Sequence, residues 1–198
     1  MTLFVEVEDF KLWLKSEIPT DDNPYLQEAL EAAQQTIQNA CQRKFNAVGS
    51  DAATARSFQP TGYCSKVLYI HDCTSITSVV DNGTTLVANT DYQAEPLNGL
   101  NSSGEAWPYF RLVKPWDVWY SSTGFASVVV TAKWGWLETP APILSAIRIV
   151  AKDEFNQRNT AGFGLVTVTE AGGVGTRENR LVREAVAQYS HPNTIGLG

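Results

Sequence analysis

Residues 23–45, NPYLQEALEAAQQTIQNACQRKF, decide how this 198-residue chain is organised. Asn23 is a good N-cap, and Pro24 fits the first helical position, where its missing N–H costs no hydrogen bond. Apolar residues then recur every three or four positions, which places them on one stripe of an α-helix. They are Leu26, Ala29, Leu30, Ala33, Ile37, Ala40, Cys41 and Phe45. The stretch therefore predicts a long helix that packs closely against other helices, with Gln34, Gln35 and Gln38 left in water.

Helical patterns flank this stretch, and a β-rich segment separates them. Residues 6–17 predict a short first helix, residues from Thr139 a third, and Arg177–Tyr189 a last one. Asn82-Gly83 lies between two strand-like runs and indicates a tight hairpin. The predicted strands are Ala55–Gln59, Lys66–His71, Ser75–Asp81, Thr84–Val87, Tyr92–Glu95, Tyr109–Val113, Ala126–Trp134 and, after the third helix, Leu165–Glu170.

This order predicts the α+β class: a helical bundle of about four helices with an inserted small antiparallel β-domain. We expect one domain over residues 1–198, because a chain of this length supports a single core. Residues 1–45 and 139–160 form its helical body, and residues 54–136 form the β-rich insertion. Residues 165–198 add a strand, a glycine-rich joint at Gly172–Gly175, a docking helix and a polar tail.

The net charge of −6 lies entirely in the N-terminal region. Residues 1–40 hold eight acidic side chains and two basic ones, whereas residues 41–198 hold thirteen of each sign. Such a surface repels nucleic acid, or it serves as an ordinary solvated face. No N-terminal segment resembles a signal peptide and no apolar run reaches membrane length, so we expect a chain made in a reducing cytoplasm without membrane contact.

Catalytic and metal-binding patterns are weak throughout the sequence. Cys64, His71 and Cys73 match no standard zinc spacing, and the glycines at 172–175 lack the lysine of a phosphate-binding loop. No nucleophile-elbow pattern occurs. We therefore expect no enzyme, no cofactor and no metal site.

Two groups of residues suit binding. Trp107, Trp116 and Trp119 belong to an aromatic-rich segment, which indicates core and subunit-interface packing or, alternatively, a monomeric carbohydrate-binding module. On the last helix, arginines recur every three residues. They either pair locally, as Arg180 can with Glu184, or dock the helix on an acidic partner.

The order of several short motifs resembles the head–tail connector proteins, also called adaptors or head-completion proteins, of tailed bacteriophages. The matching segments are YL…ALEAA…I…CQRKF (25–45), LYIHDCTSITSV (68–79), DNG (81–83), DY (91–92), PLNG (96–99), WPY (107–109), VTAKWGW (130–136) and PAPI (140–143). The resemblance covers residues 24–165.

This resemblance implies a structural virion protein at the head–tail junction, assembled in the host cytoplasm. It implies a homo-oligomeric ring, commonly dodecameric, which binds the portal protein above and a stopper or tail-completion protein below. Genomic DNA passes through its channel without sequence-specific binding. The resemblance assigns portal docking to the C-terminal segment, where the candidates are Arg177, Arg180, Leu181, Arg183, Val186 and Tyr189.

Two further roles follow if the helices form the ring body. Leu30, Ala33 and Ile37 are the candidates for subunit contact, although a helix of the same chain explains their spacing equally well. Glu28 and Glu31 are the candidate channel-lining acids, whose charge would let DNA slide without sticking.

Overall fold

The computed structural model describes residues 2–15, 18–47, 52–60, 65–122, 124–159 and 179–192. These residues contain four α-helices and a six-stranded antiparallel sheet, which confirms the predicted α+β class. The chain divides into two compact units. One comprises Met1–Arg43 and Thr139–Gly198, and the other comprises Lys44–Glu138.

The first unit contains the four described helices. They are α1 (Val7–Leu14), α2 (Asn23–Cys41), α3 (Ala141–Asn159) and α4 (Arg180–Tyr189). Helix α2 contacts each of the others, and α3 also contacts α4. The backbone N–H of His191, just after α4, donates to the carbonyl of Cys41 at the end of α2 (2.9 Å). Helix α2 is therefore the central element of this unit, as its apolar stripe predicts.

The end of α2 lies four residues earlier than predicted. Gln42 adopts a left-handed conformation (φ 53°), and its N–H donates to the carbonyl of Asn39. The N–H of Arg43 reaches back to Gln38, so the two bonds form a Schellman motif. Glycine normally signals this motif in a sequence, and its absence here hides the helix end.

Two glutamines of α2 are buried, contrary to the prediction that they stay in water. Gln34 and Gln38 are almost fully enclosed. The side chain of Gln34 accepts a hydrogen bond from the N–H of Phe4 (2.8 Å) and donates one to the carbonyl of Thr2 (3.1 Å). Gln34 thus satisfies the backbone of the N-terminal segment and fastens it to α2.

The second unit contains one antiparallel sheet. Its strands are β1 (Thr54–Phe58), β2 (Val67–Asp81), β3 (Thr84–Leu86), β4 (Gln93–Glu95), β5 (Tyr109–Val113) and β6 (Val128–Trp134). The strand order is β1-β6-β2-β5-β4, and β3 pairs with the end of β2. The hairpin predicted at Asn82-Gly83 is confirmed, and both residues have positive φ (45° and 85°).

Strand β2 is one 15-residue strand, whereas the sequence predicted two strands interrupted near Asp72. Its first half pairs with β5, and its second half pairs with β6 and β3. Register shifts between Tyr69 and Cys73 and between Ile76 and Ser78 mark irregularities in the ladder. Such irregularities let a long strand bend without ending, and no residue type announces them in advance.

The core of the sheet is apolar and includes the largest fully buried side chain, Trp119. The indole N–H of Trp119 donates to the carbonyl of Leu112 (3.2 Å). The other buried members of this core are Leu68, Ile70, Cys73, Val79, Tyr92, Leu112, Val128, Val130 and Ala132. The strand predicted at Leu165–Glu170, the joint at Gly172–Gly175 and Arg177 lie outside the described residues.

Candidate docking surfaces

Helix α4 presents the basic surface that the sequence predicted for docking. The side chain of Asn179 caps the helix by accepting a hydrogen bond from the N–H of Leu181 (2.9 Å). Ala185 is buried on the inward side. Arg180, Leu181 and Arg183 are exposed, so the outer surface of the helix carries two guanidinium groups and one apolar side chain.

The other described residues of the predicted docking set are less accessible. Val186 is half-buried and Tyr189 is buried, so Tyr189 stabilises the helical unit and has little surface for a partner. The pairing of Arg180 with Glu184 is confirmed: Nε and Oε1 lie 2.7 Å apart. Because both side chains are exposed, this ion pair contributes little stability and opens readily.

The residues predicted to contact a neighbouring subunit are enclosed within their own unit. Leu30, Ala33 and Ile37 expose almost no surface. Helix α2 contacts α1, α3 and α4, so partners in the same chain account for the stripe. Side chains buried in this way offer no surface to a neighbouring subunit in this conformation.

The two acids predicted to line a channel differ in accessibility. Glu28 is exposed on α2, and Glu31 is half-buried. Glu31 accepts a hydrogen bond from the side-chain amide of Gln27 (3.1 Å), one helical turn earlier. Both carboxylates lie on a helix surface, where they add negative potential without a described basic partner.

The tryptophans of the carbohydrate-binding alternative do not form one exposed rim. Trp119 is fully buried, and Trp107 is half-buried with its ring 5.0 Å from that of Trp136. Only Trp116 of the three is strongly exposed, at 90% of its surface. Trp107, Trp116 and Trp119 therefore do not form the joint stacking surface that this alternative expected of them.

The structure exposes a different aromatic group, which comprises Trp116 of that alternative together with Tyr120 and Phe125. Trp116, Tyr120 and Phe125 occupy one connection between β5 and β6 and expose 90%, 51% and 75% of their surfaces. We call these three residues the aromatic surface. The adjacent Asp117 is also exposed, and a hydrogen bond from the Val118 N–H together with the nearby Lys114 lowers its pKa. The aromatic surface therefore carries a negative charge beside it.

The backbone beneath the aromatic surface is held by buried polar contacts. Lys114 Nζ lies 2.6 Å from Asp81 Oδ2, with both side chains about 95% buried. The same ammonium lies 4.6 Å from the centre of the Trp119 ring. The side-chain amide of Asn82 donates to the carbonyl of Tyr120 (3.0 Å), and its oxygen accepts from Ser122. The hairpin turn and the connection thus support each other.

Cys64, His71 and Cys73 form no metal site in the described part of the chain. Cys64 lies outside the described residues, and no group of three His, Cys, Asp or Glu side chains elsewhere is placed to hold a metal ion. Arg56 lies 3.0 Å from Nδ1 of His71 and 4.6 Å from the centre of the Trp134 ring. Arginine only donates, so the His71 Nδ1 accepts. His71 thus contacts the guanidinium of Arg56 and the rings of Phe58 and Trp134.

Burial and nearby charges shift the pKa values of His71, Cys73 and Cys41. Burial and the neighbouring Arg56 lower the pKa of His71, against an opposing effect of Asp72. Burial raises the pKa of Cys73 to about 12 and that of Cys41 to about 11. Both thiols are therefore protonated at neutral pH and poor nucleophiles.

Comparisons with known proteins find a similar fold in chains of gene transfer agent particles. No family model and no curated protein matches the sequence. One similar chain belongs to the neck of an empty gene transfer agent particle, a structure computed with C6 symmetry. The match covers 94% of this chain and 88% of the neck chain. That match has a TM-score of 0.54 and 13% identity.

Two further solved structures match. A chain from the virion of a native gene transfer agent particle covers 94% of this chain and 89% of its own length, with a TM-score of 0.53 and 14% identity. A chain from the neck of a native particle, computed with C12 symmetry, has a TM-score of 0.48 and 11% identity over 84% and 81% of the two chains. At these identities the first two likenesses show a shared fold.

None of the described helices is both long enough and apolar enough to cross a bilayer.

Proposed function

We propose that this protein is a structural component of the neck of a virus-like particle, where it acts as a head–tail connector. The observation that carries the proposal is the shared fold, over 94% of the chain, with chains of gene transfer agent particles. The order of sequence motifs in residues 24–165 resembles that of phage connectors and supports the same role.

In this proposal the chain forms a homo-oligomeric ring, and the connector resemblance implies that the ring is a dodecamer. The helices form the ring body, and the β-rich segment is inserted between α2 and α3. A ring requires a heterologous interface, in which each copy presents two different surfaces to its neighbours. C6 symmetry in the neck of the empty gene transfer agent particle supports a rotationally symmetric assembly.

Portal docking is assigned to the exposed side of α4. Arg180, Leu181 and Arg183 offer two cationic groups and one apolar side chain to an acidic, partly apolar surface on the portal protein. A stopper or tail-completion protein binds the opposite side of the ring, and genomic DNA passes through without sequence readout. The role is architectural and involves no catalysis, cofactor or metal.

Locating the protein in purified particles tests this proposal. An epitope tag at the N-terminus, imaged with a gold-labelled antibody by electron microscopy, is expected to label the junction between head and tail. Particles made without the protein should have separate heads and tails. Labelling of the tail tip, or normal particles without the protein, would contradict the proposal.

A further inference from the structure

Strand β1 (Thr54–Phe58) forms one edge of the sheet, and its ladder partner is β6 on one side. Its side chains are exposed, apart from the half-buried Phe58. A strand with so little buried side-chain surface opens more readily than a central strand. The contacts that the side chains of β1 do make therefore decide how firmly the strand is held.

These contacts join β1 to the rings of His71 on β2 and Trp134 on β6. The guanidinium of Arg56 lies over Trp134, 4.6 Å from the ring centre, and its Nη1 lies 3.0 Å from Nδ1 of His71. The ring of Phe58 lies 5.3 Å from that of His71 and 5.7 Å from that of Trp134. The indole N–H of Trp134 also donates to the carbonyl of Thr54 (2.8 Å). Side chains of three strands thus form one cluster that fastens β1 to the sheet.

The contact between Arg56 and His71 exists only while the imidazole is neutral. Arginine only donates hydrogen bonds, so Nδ1 of His71 accepts and the ring proton lies on Nε2. A second proton would occupy Nδ1, remove the acceptor and place two positive groups where the hydrogen bond was. Protonation therefore turns an attractive contact into a repulsive one.

Among the described residues, two charged groups act on the His71 imidazole. Arg56 approaches from β1 and opposes protonation, whereas Asp72, the next residue of β2, favours it. Strand β6 contributes the uncharged ring of Trp134. The carboxylate of Asp72 accepts a hydrogen bond from the indole N–H of Trp136 (2.9 Å). Burial and Arg56 together outweigh Asp72 and lower the pKa of His71, so its ring is neutral at neutral pH.

We propose that the Arg56–His71 contact is a proton-sensitive latch: it holds β1 on the sheet at neutral pH, and protonation of His71 favours release of the strand. The release is local, because it breaks the ladder between β1 and β6 and leaves the buried core on β2, β5 and β6 intact. Strand β6 then becomes the open edge of the sheet. This inference concerns the sheet unit alone and does not depend on the connector function.

Hydrogen exchange in β1, corrected for the intrinsic exchange rate at each pH, measures the release. Protection of Thr54–Phe58 should fall between pH 7.5 and pH 5.0. The fall should reach up to about tenfold for each pH unit between the ordinary and the folded-state pKa of His71. The other edge strand, β4 (Gln93–Glu95), is the internal control and should lose less protection. Equal losses in β1 and β4 would mean that β1 opens only with the whole unit, which would overturn the proposal.

Matched variants assign the effect to one histidine. His71→Gln keeps an acceptor for Arg56 but does not titrate, so its β1 protection should change little between the two pH values. His191→Gln removes the other histidine of the chain and should keep the pH dependence of the wild type. In Arg56→Gln, β1 should already be less protected at pH 7.5. The proposal fails if His71→Gln shows the same pH dependence as the wild type.

Nitrogen NMR of the His71 ring tests the contact itself. At pH 7.5 the ring should carry its proton on Nε2, and the pKa of His71 should lie below 6.5 and rise towards that value in Arg56→Gln. A proton on Nδ1 at pH 7.5 would rule out the hydrogen bond from Arg56 and with it the latch. Circular dichroism during thermal unfolding shows that each variant is folded before its exchange is compared.

Discussion

At the scale of single residues, polar side chains carry more of the structure than their residue types suggest. Gln34 satisfies two backbone groups of the N-terminal segment, and Arg56 stacks on Trp134 while donating to His71. In both cases one side chain joins segments that are distant in sequence. Changing either residue should therefore affect a whole segment.

Replacing Gln34 with Leu should destabilise the helical unit by about 1–3 kcal/mol, because the Phe4 N–H and the Thr2 carbonyl lose their partner in a partly buried position. Urea unfolding measures the change, and hydrogen exchange at residues 2–5 should accelerate. Gln35→Leu is the matched control, since Gln35 is exposed one position along. Equal stability of the two variants would show that the Gln34 contacts contribute nothing.

His71 should make the sheet unit less stable as the pH falls. Burial and Arg56 lower its pKa in the folded chain below the ordinary value of 6.5, so the unfolded chain binds more protons between the two values. The contribution of His71 to stability is therefore fully present above pH 6.5. It declines as the pH falls towards the folded-state pKa of His71.

The measurement is the urea midpoint at pH 7.5 and at pH 5.0 for the wild type and for His71→Gln. The wild type should lose more stability than the variant over this range. A larger loss in the variant would mean that the pKa of His71 is raised on folding.

The sequence predicted the burial of apolar residues on α2 well and the polar contacts poorly. Leu26, Leu30 and Ile37 are buried as their spacing predicts, because the helical period alone decides which side faces a partner. The burial of Gln34 depends on Thr2 and Phe4, which lie about thirty residues away. No local pattern contains that information.

At the scale of elements, the connection between β5 and β6 depends on one buried ion pair. Lys114 and Asp81 come from different parts of the sheet and are almost fully removed from water. Breaking such a pair leaves a buried charge without a partner, which costs far more than the pair itself contributes. The pair therefore controls the position of the aromatic surface.

Lys114→Met should destabilise the sheet unit by about 3–5 kcal/mol, because the Asp81 carboxylate loses its buried partner. The double variant Lys114→Met/Asp81→Leu should recover part of that loss, since it removes the uncompensated charge. Lys44→Met, at an exposed lysine of the same unit, serves as the control and should change stability by about 0.5 kcal/mol or less. Chemical unfolding followed by tryptophan fluorescence reports all three values. A loss below that of the control would contradict the role of the pair.

The order of helices and strands could be predicted from the sequence, whereas the continuity of a strand and the exposure of a side chain could not. The bounds of β5, Tyr109–Val113, agree with the prediction, because a β-rich run lies between a proline and a lysine. The join of two predicted strands into β2 depends on pairing with β5 and β6. Likewise, Trp116 and Trp119 lie three residues apart in one segment, and only the fold decides that one is exposed and the other buried.

At the scale of the whole molecule, the uneven charge gives a further test of the proposed channel. Eight of the acidic side chains lie in residues 1–40, and Glu28 and Glu31 are on the surface of α2. If these acids face DNA, reversing their charge should create sites that hold the phosphate backbone. We expect Glu28→Lys/Glu31→Lys to slow DNA packaging or ejection.

The rate of DNA ejection from assembled particles measures that effect, and the slowing should lessen as salt is raised. Glu138→Lys/Glu154→Lys makes the same change in net charge at exposed positions elsewhere and should leave ejection unchanged. Equal ejection rates in the two variants would show that Glu28 and Glu31 do not line the channel.

The mass of the purified protein, alone and mixed with its portal protein, tests the central claim most directly. Multi-angle light scattering distinguishes the 21.7 kDa monomer from a ring of many copies. The account predicts a ring-sized assembly in the mixture, in which this chain and the portal elute together. A protein that stays monomeric at every concentration and does not bind the portal would contradict the connector function.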